Sequence, residues 1–213
     1  TMKRPLILVC GGGHCKSVIE AAESAGFAIK GILDVAERIG DDVLGYKIVG
    51  TDDDAALYAA ECDFVVTLGF IKSAAVRNHI IDKLTAAGCR FATVVASTAH
   101  VSRHATLGEG TVVLHRATVN AGASVGRHCI INTAANVEHD VTVAAGAHVS
   151  TGAMLNGESR VGAGAFVGSG AVLAQCVAVG AGSVIGAGSV VTVSLTEPGI
   201  YAGNPARLIN KKK

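Results

Sequence analysis

Residues 137–150 read VEHDVTVAAGAHVS, and two histidines nine positions apart, His139 and His148, interrupt a stretch made mostly of Ala, Gly and Val. His139 stands between Glu138 and Asp140. An imidazole with an unperturbed pKa near 6.5 accepts a proton at neutral pH, and a carboxylate on its other ring nitrogen fixes the tautomer and stabilises the cation. Asp140 or Glu138 can be that carboxylate, so the triplet reads as a general base with an acidic partner. A second candidate cluster lies near the start, where PLILVC runs into GGGHCK and places Gly12, Gly13 and His14 in one turn. Glycines there let backbone N–H groups approach a diphosphate, and the N-terminus of a following helix favours its charge. A full dinucleotide fingerprint would need Gly where Lys16 stands, and GxxxxGK[ST] is absent, so neither motif is complete.

The elements that must position these residues differ between the two halves. In the front half PLILVC reads as a buried strand and SVIEAAESAG as a helix, with the glycine turn between them. AIKGILD is a second strand ending at Asp34, DFVVTLG a third ending at Gly69, and RNHIIDKLTAAG a following helix. Alternation of this kind gives a small parallel α/β sheet, whose ligands sit at the carboxyl ends of the strands. The glycine turn, Asp34 and Gly69 all fall there.

In the back half, aliphatic residues recur every sixth position without a slip, from Val95 and Val101 through Val137, Val143 and Val149 to Ile185 and Val191. A six-residue period is the mark of a parallel β-helix, with one short strand per hexad and three hexads, or eighteen residues, per coil. About seventeen inward aliphatics, each contributing roughly 1.5–3 kcal/mol on burial, can hold such a rod together without aromatic anchors. His139 and His148 miss the inward ladder, so both side chains should leave the rod outward, and half a coil apart they should leave it in different directions. The charge-free run 161–196 would pass for a membrane span by hydropathy alone, yet its period is that of the coil. No hexad is interrupted by a long loop, so ligands are expected between coils or between subunits.

Composition agrees. Half of the 213 residues are hydrophobic, only 4% are aromatic and 27 are Gly, which favours strands and tight turns over bulky packing. A formal charge of +1 gives no field for nucleic acid or an anionic membrane. The six cysteines are scattered, without a CxxC pair, and read as reduced and mostly buried. With no export signal evident, the expected location is cytoplasmic.

The hexapeptide repeat over residues 95–195 resembles the left-handed β-helix acyltransferases, and the handedness is implied by that resemblance. With the GGGH turn, the E-H-D triplet, the second His nine residues on and a closing YAGNPARLI, the whole chain is similar to bacterial nucleotide-sugar N-acetyltransferases. That group includes enzymes for GDP-perosamine and for UDP-linked 4-amino sugars, and relatives connected with sialic acid O-acetylation. The resemblance implies an α/β nucleotide-sugar-binding domain over 1–92, a left-handed β-helix over 93–195 and a tail over 196–213 packing on the last coil. It implies a homotrimer with active sites between subunits, using acetyl-CoA and no metal.

By the same resemblance His139 is the base, oriented by Asp140, and His148 contacts the acetyl group. Gly12, Gly13, His14 and Gly69 lie near the nucleotide sugar, with Asp34 near its base or ribose. Acetyl transfer from a thioester to an amine needs a proton acceptor, which suits His139. Coenzyme A would run along a groove between neighbouring rods, where Gly157 and Ala187 leave room for the pantetheine arm and Arg207 with the terminal lysines meets the phosphates. His100, His104, His115 and His128 are expected to be ordinary surface or interface residues. Rival readings are an O-acetyltransferase, a non-catalytic sugar-nucleotide-binding trimer and a zinc hydratase. The last needs histidines five residues apart, and no pair here has that spacing.

Overall fold

The computed structural model describes residues 3–211. It opens with β1 (Leu6–Val9), α1 (Gly13–Ser24) and β2 (Ile29–Leu33), followed by β3 (Asp42–Val43), β4 (Tyr46–Gly50), β5 (Asp63–Val66) and α2 (Ala75–Ala86). The sheet order is β3-β4-β2-β1-β5, with β1 parallel to both β2 and β5 and β2 parallel to β4. Short β3 runs antiparallel to β4. The predicted strands and helices are present. The β3–β4 hairpin is additional, and its turn residues Leu44 and Gly45 have φ of 52° and 86°, the mirror-image turn that matches strand twist.

From Val94–Val95 to Val190–Val191 the chain forms two-residue strands at each hexad. They assemble into three parallel faces of eight, six and five strands, the eight-stranded one completed by two strands of the tail. Register confirms the eighteen-residue coil: Val119 pairs with Val137, and Val137 with Leu155. The sixth-position aliphatics fill the rod together with small residues such as Ala135, Ala153 and Ala171. The charge-free segment is therefore coil, and among the described residues no helix is long and apolar enough to cross a membrane. Beyond the last hexad, Gly199–Ala202 pairs in parallel with Val184–Ile185 and in antiparallel with Arg207–Lys211.

The α/β unit docks on the outside of the eight-stranded face. There the residue preceding each inward aliphatic is Val94, Val112, Ile130, His148, Phe166 or Val184, and all six are buried. On the other two faces the same position holds residues such as Thr118, Asn136, Ser124 and Arg160. Leu6, Leu8, Val18 and Ile19 of the α/β unit share one apolar cluster with Val94, Val112 and Ile130. Cys15, in α1, is buried in that cluster. A polar tie accompanies it: Arg77 of α2 is 1% exposed and donates from its guanidinium to the His128 carbonyl at 2.8 Å. His128 is buried against Phe91, ring centroids 4.6 Å apart, so it belongs to this seam rather than to the surface.

Candidate active site

His139 lies in the turn between β13 (Asn136–Val137) on the six-stranded face and β14 (Thr142–Val143) on the five-stranded face. Its Nδ1 is 2.9 Å from Asp140 Oδ2, and both side chains are 61% exposed. A carboxylate can only accept, so Nδ1 carries the proton and Nε2 keeps a free lone pair. Asp140 adopts φ of 59°, a left-handed conformation that Asp tolerates better than most residues. The hydrogen bond to Asp140, then the charges of Asp140, Glu138 and Glu158, raise the His139 pKa above 6.5. Glu138 is engaged elsewhere: Asn136 and Asn120 donate to its two oxygens at 2.8 and 2.9 Å, which holds its carboxyl below the usual range. The carboxylate touching the imidazole is thus that of Asp140.

His148 is the first residue of β15 (His148–Val149), on the eight-stranded face under the α/β unit. It points out of the rod, as expected, but is only 6% exposed. Its Nδ1 donates to the Phe70 carbonyl at 3.0 Å, which leaves Nε2 to accept from Asn132 Nδ2 at 3.3 Å. Phe166 and Phe70 pack edge-on to the ring, with centroids 5.1 and 5.6 Å away. Burial, then the charge of Arg77, pushes its pKa down to about 4, so it is neutral in the working range.

A cleft of about 780 Å³ opens beside it, lined by Gly12, Gly13, His14, Thr67, Gly69 and Phe70 from the α/β unit and Asn132, Thr133 and Thr151 from the rod. His14 and His148 rings are 6.2 Å apart. Burial first, then the fields of His148 and Arg77, pushes the His14 pKa down to about 4 as well, and its Nε2 is buried with no hydrogen-bond partner. A Cβ on Gly69 would stand 3.8 Å from both rings. The structure therefore brings together Gly12, Gly13, His14, Gly69 and His148 in one chain, at the seam between its two units. Within one chain, then, binding space lies between the α/β unit and the rod.

Gly12 caps α1, and the glycine turn borders a second cavity of about 520 Å³, lined by Lys16, Arg38, Asp42 and Leu44. Asp34 does not face this space freely. Its Oδ2 accepts from the Gly11 N–H at 2.9 Å and from Arg38, while Oδ1 accepts from the Val35 N–H at 2.9 Å. It braces the turn, and Arg38, a residue the sequence did not single out, is the side chain it presents to the cavity.

Gly157 sits one coil beyond His139, its carbonyl accepting from Cys176 N–H and its neighbour Glu158 donating to the His139 carbonyl. Ala187 lies at a different corner, between the eight- and six-stranded faces, and Arg207 begins the final strand, its guanidinium donating to the Ala206 carbonyl at 3.0 Å. Within one chain these three do not gather with His148. Lys212 and Lys213 lie outside the described residues. Sequence reading missed Phe70, Asn132, Thr133 and Thr151, whose approach to the cleft depends on the docking of the two units. Among the described residues no three His, Cys, Asp or Glu side chains are grouped to hold a metal ion.

Two families match: the PglD N-terminal domain over residues 5–84 and the bacterial transferase hexapeptide (six repeats) over residues 158–192. The acetyltransferase domain of PglB from Neisseria gonorrhoeae FA1090, solved with acetyl coenzyme A, is 32% identical, with a TM-score of 0.89 covering 98% of this chain and 100% of that one. PerB from Caulobacter crescentus, solved with CoA and GDP-perosamine, is 31% identical, with a TM-score of 0.89 over 96% of each chain. The uncharacterized protein L142 of Acanthamoeba polyphaga mimivirus is 31% identical over 108 residues, 50% of this chain and 20% of that protein.

Proposed function

We propose that this chain, which belongs to the acetyl-CoA-dependent nucleotide-sugar N-acetyltransferases of the left-handed β-helix superfamily, acetylates the 4-amino group of a nucleotide-linked 4-amino-4,6-dideoxy sugar. GDP-perosamine is the favoured acceptor and a UDP-linked 4-amino sugar the next. PerB, solved with CoA and GDP-perosamine, supports the first choice through its likeness over nearly the whole chain. The observation that carries the reading is the His139–Asp140 pair, held at 2.9 Å with Nε2 free on an exposed corner.

The amine lone pair attacks the thioester carbonyl carbon, forming the C–N bond while the carbonyl electrons move to oxygen. His139 Nε2 takes the ammonium proton, and the Asp140 carboxylate stabilises the imidazolium. As the oxyanion collapses, the C–S bond breaks and the imidazolium proton passes to the thiolate. The products are the N-acetylated sugar nucleotide and free coenzyme A, with His139 neutral again. The cleft of Gly12, Gly13, His14 and Gly69 holds the sugar nucleotide, with the N-terminus of α1 facing its diphosphate. His148 lies near the acetyl group, and Gly157, Ala187 and Arg207 border the coenzyme. The protein acts as a cytoplasmic homotrimer with its sites shared between subunits, in the making of a cell-surface glycan.

The test incubates the protein with acetyl-CoA and a panel of GDP- and UDP-linked 4-amino-4,6-dideoxy sugars, following thiol release and product mass. Turnover is expected with GDP-perosamine above the others. Thiol release with hydroxyl acceptors alone would replace the N-acetyl reading by an O-acetyl one.

A further inference from the structure

Most rod glycines with ordinary φ are accounted for by backbone. A Cβ on Gly108, Gly126, Gly162 or Gly168 would fall 2.3–2.7 Å from a backbone nitrogen of the next coil. Others, such as Gly122 with φ of 74°, occupy left-handed turn positions. Gly157 fits neither explanation. It is not among the left-handed residues. The three atoms nearest to its would-be Cβ all belong to the imidazole of His139: Cε1 and Nε2 at 2.6 Å and Cδ2 at 3.3 Å.

The eighteen-residue coil explains the contact. The column through this corner reads Ala121, His139, Gly157, Gln175, tied by backbone bonds from Asp140 N–H to the Ala121 carbonyl and from Glu158 N–H to the His139 carbonyl. The His139 ring leans over position 157 with Nε2 above the glycine, while Nδ1 reaches back to Asp140. Any side chain at 157 would occupy the ring's place.

We infer that Gly157 is a positioning residue for the base: the bare backbone at 157 is the slot into which the His139 imidazole folds so that one nitrogen meets Asp140 and the other stays open. This rests on the proposed role of His139 only for its effect on rate, since the slot itself is a property of the free protein. A Cβ at 157 turns the ring about its side-chain torsions, breaks the contact with Asp140 and moves Nε2. A displacement on the order of 1 Å at a reacting group costs about 100-fold in rate.

Histidine NMR titration of the ligand-free protein reads the slot directly. The charged groups around His139 are Glu138 and Asp140 beside it and Glu158 on the next coil. In the wild type its midpoint is expected above 6.5; in Gly157→Ala it falls toward that value, because the hydrogen bond to Asp140 is lost while the other two carboxylates remain. In parallel kcat falls about 10- to 100-fold. An unchanged midpoint in Gly157→Ala overturns the inference, as does a rise confined to the acetyl-CoA KM at unchanged kcat, which would set the new methyl against the coenzyme instead. Should Gly157→Ala fail to fold, the double variant with His139→Ala, lacking the ring, is expected to melt where His139→Ala alone does. Failure of the double variant too would place the conflict in the backbone and overturn the inference. If His139→Asn keeps full activity while the titration behaves as expected, the base assignment fails and the slot stands.

Discussion

Replacing His139 by Asn keeps a polar group at the corner but removes the nitrogen proposed to take the proton. The expected result is a kcat lower by about 100- to 10,000-fold with KM values changed only a few-fold, measured by thiol release. The Asp140→Asn variant tests the support of that base. With the neutral imidazole as the proposed base, wild-type kcat/KM is expected to rise with pH through a midpoint above 6.5. Removing the carboxylate withdraws the largest raising influence, so the limb moves to lower pH. A limb that stays in place would assign it to another group. At this scale the sequence was informative where partners are adjacent: the His139–Asp140 contact is one residue long. It left Glu138 open beside Asp140, because what occupies Glu138 is a pair of donors, Asn136 two residues back and Asn120 one coil away, the second of which only the coiling brings near.

The eight-stranded face meets the α/β unit through a column in which Val94, Val112 and Ile130 share its apolar cluster and His148 and Phe166 pack against Phe70. His148 in that column has its folded pKa pushed down to about 4 from 6.5. The unfolded chain therefore binds the proton more readily, so stability is full above about 6.5 and is lost as pH falls toward 4. The difference corresponds to about 3 kcal/mol at that single site. Thermal melts between pH 7 and 4 should show the loss, and His148→Asn should make it shallower without abolishing it, because burial pushes His14 and His128 down to about 4 as well; an equally steep loss in the variant would remove His148 from the account. The docking face was legible in the residues that precede the inward aliphatics, apolar on every third hexad and largely polar or small on the others. Period alone identified the rod but not which face is covered, and so the burial of His148 escaped notice. The β3–β4 hairpin escaped for a different reason: DVLGYKIVG lacks an Asn-Gly or Asp-Gly signal, with Leu44 taking a left-handed φ that its type rarely adopts.

If each site of the proposed trimer takes His139 from one subunit and His148 from its neighbour, a quantitative prediction follows. In trimers formed from equal amounts of His139→Asn and His148→Ala chains, one neighbour pair in about four carries both intact residues. Activity near a quarter of wild type is expected, where sites contained in single chains would give none. The two histidines do leave the rod differently, one at an open corner and one beneath the α/β unit. The order of the fold, sheet then rod, followed from periodicities of the sequence, whereas the cleft between them depends on a docking that no local pattern specifies.

The unslipping register of the rod also makes it a counting device. Each coil adds about 4.8 Å of height and returns the chain to its starting azimuth. A duplicated block of eighteen residues beyond Val161 would lengthen the rod by one rung and leave the orientation of the tail intact. A duplicated block of six would swing everything downstream through a third of a revolution, carrying Arg207 around to another side. Length in such a protein is free to vary only in whole rungs, while a single misplaced hexad would bring every later side chain out on the wrong face.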